Sequence, residues 1–327
     1  MPDPSSHASP AVADDLFDKY ALPKVALTVI LAASLVGTWT TGRIAAQSPV
    51  VTLAKWAYLV ALGVLAGGLV WKHLFVCPDD LASGAEEYCA AMYARFDRIA
   101  GGVVAVLALS GLVVLADYVS TIGVGPLVVG LGGLLAALLG VTGVAAIRST
   151  PVDEQFRSPA GLFALGLAAA VVCATALAEV GLRGLGPLVA GVRMLHLLAF
   201  AGWIGGAVWN IFVAVPSGQS RPTVPVARAA GEQLERFRRV VRLIIPTLFL
   251  TGAYQAVDAL GTDLGSYLGS LVGLAVVAKI GFVAVLIGIF LLCPMWRACS
   301  PIDGVCDLEE LGGGERSTAS AEGPSDG

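Results

Sequence analysis

The chain has 327 residues, 57% of them apolar and 13% charged, with a formal net charge of −4 and a mean hydropathy of +0.82. Charge this sparse excludes an ordinary soluble domain, and the acidic balance excludes a nucleic-acid partner held by its phosphates. What remains is a polytopic membrane protein, with its charges crowded into the two ends and the breaks between apolar runs.

In chain order, the opening MPDPSSHASPAVADDLFDKY is acidic where a secretory signal is basic, and it lacks a short apolar core. Residues 1–24 are therefore expected to form a cytoplasmic tail. A helix needs about 20 apolar residues to cross a bilayer. Eight segments qualify, near Val25–Arg43, Thr52–Val76, Ile99–Val119, Pro126–Ile147, Gly161–Val180, Val192–Val215, Val240–Asp258 and Leu268–Leu292. Residues 294–327 are polar, Gly/Ser-rich and acidic, and read as a disordered tail. The expected fold is an all-α polytopic bundle. Of 20 Lys and Arg residues, 15 fall in the tails, at Lys72, or in the loops around 77–98, 148–160 and 216–242. The positive-inside rule then predicts a plasma-membrane protein with both termini in the cytoplasm. The Arg-rich ERFRRVVR, Glu235–Arg242, reads as an anionic-lipid contact at that face.

An internal repeat crosses this plan. YLVALGVLAGGLVWK, Tyr58–Lys72, matches HLLAFAGWIGGAVWN, His196–Asn210, at an offset of 138, with six of fifteen residues identical. At an offset of 141, Arg95-Phe96 meets Arg236-Phe237, Gly111 meets Gly252 and Asp117 meets Asp258. The chain reads as two tandem four-helix units, residues 25–150 and 151–293, fused in the same orientation. Gly63 and Gly67, matched by Ala201 and Gly205, form a small-xxx-small face for close helix approach. His196, Trp203 and Asn210 recur every seven residues along another stripe of their helix.

Three stretches carry a family resemblance: RMLHLLAFAGWIGG, ERFRRVVRLIIPTLFLTGAYQA and YLGSLVGLAVVAKIGFVAVLIGIF. They resemble the copper resistance protein D family in a histidine leading a W-x-G-G helix, an R-F pair opening a helix that ends in T-G, and a lysine in the last helix. The matching residues are His196, Trp203, Gly205, Gly206, Arg236, Phe237, Thr251, Gly252 and Lys279. The resemblance covers residues 190–292, and the first half only through the repeat. It implies copper transport or handling, with a copper ion and a copper-binding partner protein as partners beside the membrane lipids.

The residues suggest where such chemistry sits. Ionisable groups inside a membrane are rare and point to function. His196 is the leading metal ligand, because neutral imidazole suits copper and other transition metals. Glu179 and Asp258 are the carboxylates placed to join it in an outer site, with Asp117, Tyr58 and Tyr254 at similar depth. Met194, a soft ligand, is offset from His196 by about 200° on a regular helix and joins it only if the helix starts later. Lys279 falls mid-span, where a charge costs at least ~2.5 kcal/mol. It is expected to be neutral or paired to Gln255, Thr251 or Asn210. Cys77, Cys89, Cys293, Cys299 and Cys306 lie on the cytoplasmic side without C-x-x-C spacing and are expected to be reduced. Cys173 reads as an apolar filler.

Two other classes compete. A b-type haem needs two histidines at one depth. The repeat separates His73 from His196 by fifteen positions, about 22 Å along a helix, so no haem is expected. A membrane anchor or assembly subunit of another complex is the second alternative. No P-loop, nucleophile elbow or H-E-x-x-H is present, and an enzyme is not expected.

Overall fold

A computed structural model describes residues 10–76, 84–147, 151–220 and 223–292. The protein is all-α, and eight of its helices are long and apolar enough to cross a membrane. They are α1 (Pro10–Ile44), α2 (Pro49–Val70), α3 (Glu86–Ile122), α4 (Pro126–Ile147), α5 (Pro159–Gly181), α6 (Pro187–Val208), α7 (Val224–Leu260) and α8 (Leu271–Leu292). The links α1–α2, α3–α4, α5–α6 and α7–α8 define one end of the bundle, called here the short-loop end. The tail expected over residues 294–327, together with His7, Cys77, Cys293, Cys299 and Cys306, lies outside the described residues.

Local sequence explains the boundaries. Ser48 and Ser158 cap α2 and α5, their hydroxyls accepting from Val51 N–H at 3.3 Å and Gly161 N–H at 3.1 Å, each followed by proline at the first turn. Helices α3 and α7 both run for 37 residues and both stop at a glycine of positive φ, Gly123 at 79° and Gly261 at 76°. A side chain is strained in that region, so glycine ends each helix with little conformational cost.

Three expected boundaries move. Residues 10–24 of the expected tail are helical, since α1 begins at Pro10. Residues 86–98 and 224–242, expected in loops, are the opening turns of α3 and α7. They extend past the apolar spans because their apolar residues join the main core. Tyr88, Cys89 and Met92 of α3 share a buried cluster with Val226, Ala227, Ala229 and Ala230 of α7.

At the centre, α2 crosses α6 in the most extensive contact of the bundle. The approach is backbone on backbone. A Cβ built on Gly67 would lie 2.8 Å from Gly205 Cα, and one on Gly63 would lie 2.8 Å from Ile204 Cγ2. Dispersion at such a glycine face substitutes for the hydrophobic drive that lipid removes.

Positions 138 residues apart take matching places around this crossing. Both central helices widen into a π turn, Trp71–Phe75 after α2 and Trp209–Ala214 after α6, each opening at the tryptophan after the Gly-Gly pair. The two indoles stack at 6.5 Å. Phe96 of α3 meets Trp209 at 5.4 Å, and Phe237 of α7 meets Trp71 at 5.4 Å. Around the centre α1 packs on α8 as α5 packs on α4, and α2 on α3 as α6 on α7. One pairing breaks the pattern. Helices α3 and α4 pack extensively, but their counterparts α7 and α8 do not.

The end opposite the short loops is tied by specific bonds. Lys72 pairs with Asp97 at 2.6 Å and lies 4.8 Å from the Tyr93 ring centre. Arg236 donates to the Phe75 carbonyl at 2.7 Å, satisfying a backbone acceptor at the end of the π turn. Within the segment expected to touch lipid headgroups, Arg236 is thus a largely buried interhelical tie, and Arg239 and Arg242 are exposed.

Candidate functional site

The polar groups of the spans gather in two tiers at the short-loop end. In the upper tier, Glu179 near the end of α5 is 2% exposed and holds two cations. Lys55 of α2 approaches Oε1 at 3.0 Å, and Arg193 of α6 donates from Nε to Oε2 at 2.6 Å. Arg193 also donates from Nη1 to Gln255 Oε1 of α7 at 3.0 Å. Three helices therefore meet at one carboxylate, and Arg193 ties in a fourth. Burying these ions is costly, and their mutual pairing with a further hydrogen bond offsets that cost.

Beside this tier the Tyr58 hydroxyl shares a 2.8 Å hydrogen bond with Thr175 of α5. Its counterpart at the 138 offset is His196, whose Nδ1 lies 2.9 Å from Thr251 Oγ1 of α7. The Thr251 hydroxyl itself donates to the Thr247 carbonyl. A hydroxyl has one proton, so when Thr251 donates it to the Thr247 carbonyl it accepts from His196, the tautomer with Nδ1 protonated. In the neutral ring the Nε2 lone pair is then available. Both rings lie over a glycine: a Cβ on Gly111 would lie 3.7 Å from the Tyr58 ring, and one on Gly252 would lie 3.6 Å from His196. The T-G motif supplies a hydrogen bond and the room for the ring that makes it.

Lys279 of α8 completes the second tier. Its ammonium rests on α1, where a Cβ on Gly37 would lie 2.9 Å from Nζ. His196, Thr251 and Lys279 each lie about 12–14 Å along their helices from the short-loop end. Farther along, Trp203 of α6, Ile30 of α1, Ile244 of α7 and Leu286 of α8 form an apolar cluster, about 21–24 Å from the same end. Polar side chains run inward from one end to mid-span, and an apolar plug follows them.

The expected ligands are distributed differently. Glu179 has both oxygens engaged by cations, and its ion pairs are with Lys55 and Arg193. Asp258 is exposed at the short-loop end. Met194 packs against the main apolar core. Asn210 donates to the Gly206 carbonyl at 2.8 Å, and Gln255 to the Thr251 carbonyl at 3.0 Å. Neither bonds Lys279, and nor does Thr251. Asp117 accepts from Gln47 at 2.6 Å, and Tyr254 is exposed. Cys89 and Cys173 form no disulfide among the described residues. Among the described residues no three His, Cys, Asp or Glu side chains group to hold a metal ion.

Lys55 and Arg193 stand outside the candidate residues named from sequence. The signal for them was present, since they are 138 positions apart, the offset of the repeat. No protein-family model, curated protein or solved structure matches the chain. The resemblance to the copper resistance D family thus rests on the quoted motifs.

Proposed function

We propose that the chain moves a charged solute across its membrane along the two polar tiers, and that the solute is copper. In this reading two fused four-helix units sit in the plasma membrane with both termini in the cytoplasm, as the lysine and arginine distribution argues. The tiers open at the outer face and the Trp203 cluster closes the path inward.

The observation that carries the reading is the His196–Thr251 hydrogen bond. Metal-binding histidines donate their second ring N–H to an oxygen, which fixes the tautomer and aims the other nitrogen. Thr251 is such an oxygen, and it comes from the same motif set as His196. The copper identity comes from resemblance alone. Glu179 joins His196 as a ligand only by releasing Lys55 or Arg193, so His196 leads the assignment.

Copper accumulation in cells lacking the protein, then supplied with wild type or His196→Ala, tests it. Rescue by wild type and none by the variant is expected. Equal accumulation in all three would remove the transport reading and favour an anchoring or assembly subunit.

A further inference from the structure

The glycine notch on α3 is filled, and its counterpart on α7 is open. A Cβ built on Gly111 would lie 2.8 Å from Leu135 Cδ2 of α4 and 3.7 Å from the Tyr58 ring. A Cβ on Gly252 would lie 3.6 Å from His196 Cε1 and meet no other side chain within 4 Å among the described residues. The ring over the notch is repeated in the second half, and the side chain from the fourth helix is not. The packing says why, since α3 and α4 pack extensively and α7 and α8 do not.

The links between these helices differ in the same sense. Residues 123–125 join α3 to α4, and a link of that length holds two helices side by side. Residues 261–270 join α7 to α8 and include a short helix, Leu264–Leu268, that packs on α8. This longer link leaves α8 free of α7, and α8 lies on α1 as α4 lies on α5. Helices α1 and α8 form one arm, in which a Cβ on Gly37 of α1 would lie 2.9 Å from Lys279 Nζ of α8. The arm is held more loosely than the α4–α5 pair, because α1 touches α6 less extensively than α5 touches α2. It shares with α6 and α7 the buried cluster of Ala26, Ile30, Trp203, Ile244 and Leu286. That cluster lies farther from the short-loop end than Gly252 does. The arm is therefore anchored inward of the notch and stands off α7 beside it.

We infer that α1 and α8 rock as one arm about the Trp203 cluster and close on α7. An α8 side chain then enters the notch at Gly252 as Leu135 enters the notch at Gly111. The first half supplies the closed arrangement, with helix axes about 8–10 Å apart and the α1–α8 contact kept. Rigid-body rocking of one packed pair against the rest is how such repeats open and close a midplane site. Closure sets a side chain against the imidazole edge at Cε1 and covers His196 from the α8 side. That this gates copper rests on the function proposed above; the movement itself does not.

The test uses the full chain in phosphatidylcholine nanodiscs. Nitroxides attached through p-acetylphenylalanine at Val257 of α7 and Leu274 of α8, both exposed near the short-loop end, leave every cysteine in place. Double electron–electron resonance is expected to read two distances several ångströms apart, with the shorter one lost in Gly252→Leu, which fills the notch. A single distance in wild type overturns the inference. A shorter distance that survives in a folded Gly252→Leu overturns it too. So does one that vanishes on dilution with unlabelled chain, because a second copy would then occupy the notch. Should Gly252→Leu not fold, two dilution-resistant distances in wild type still support the arm. Copper titration of the same samples keeps the two readings apart. Copper binding lost in His196→Ala, with one distance in wild type, keeps the metal assignment and removes the arm. Copper binding indifferent to His196→Ala, with two distances in wild type, removes the metal and leaves the arm.

Discussion

The two halves of the molecule share a frame and differ in chemistry. At one matched position the first half has Tyr58 bonded to Thr175, and the second has His196 bonded to Thr251. At another, Lys55 and Arg193 reach the same carboxylate from opposite sides of the central crossing. That carboxylate has no twin, because residue 41, at its offset, is a threonine whose hydroxyl bonds its own helix at Gly37. Lys72, paired to Asp97 near the other end, is matched by Asn210, which bonds its own helix. A bundle built from like halves is stabilised by what they share, Gly67 against Gly205 and Trp71 against Trp209. What they do not share is Glu179, His196 and Lys279.

Breaking the unshared carboxylate should have the largest effect. Glu179→Ala leaves Lys55 and Arg193 buried without a counter-charge, and a loss of about 3–5 kcal/mol is expected. Thermal unfolding in detergent measures it, and Lys55→Met in the Glu179→Ala background should recover part of the loss. If the single variant unfolds like wild type, the pairing is not what joins the halves.

A clash at the shared crossing comes next. Gly205→Val places a branched side chain against the Gly67 backbone, and about 1–3 kcal/mol of overpacking is expected. Gly143→Val in α4, where a Cβ meets nothing within 4 Å, is the control. The two unfolding midpoints should differ clearly. Removing either helix cap is smaller. Ser48→Ala and Ser158→Ala should each cost about 0.5–2 kcal/mol, and by similar amounts if the halves are built alike.

The smallest change in stability should accompany the sharpest change in chemistry. His196→Tyr installs the first half's residue in the second, over a glycine and beside a hydroxyl as Tyr58 already is. Little loss of stability is expected, with copper binding abolished in a titration of the purified protein. Retained binding would take His196 out of the site.

Much of the fold was legible in the chain. Apolar runs long enough to cross a bilayer have one low-energy form there, the helix, because no water satisfies the backbone. Composition and run length alone therefore define eight spans. The glycine face was also legible, since small residues at i and i+4 make a surface whatever packs on it. Extensions such as 86–98 were not, because their apolar residues serve a core shared with another helix, and polar neighbours hide them.

The site was legible only in part. His196 stands out as a rare group in a greasy run, and the T-G motif named its partner's position without showing that Thr251 accepts from it. Sequence cannot order Glu179, Lys55, Arg193 and Lys279 against one another, because depth along a helix follows from counting residues but azimuth and neighbours follow from packing. What the chain determined by itself is the set of helices, their caps and the doubled frame, all set by local chemistry against lipid. What only the tertiary structure decided is which cations Glu179 holds, and that Lys279 has no carboxylate partner among the described residues. Coulomb pairing acts over a few ångströms between helices far apart in sequence.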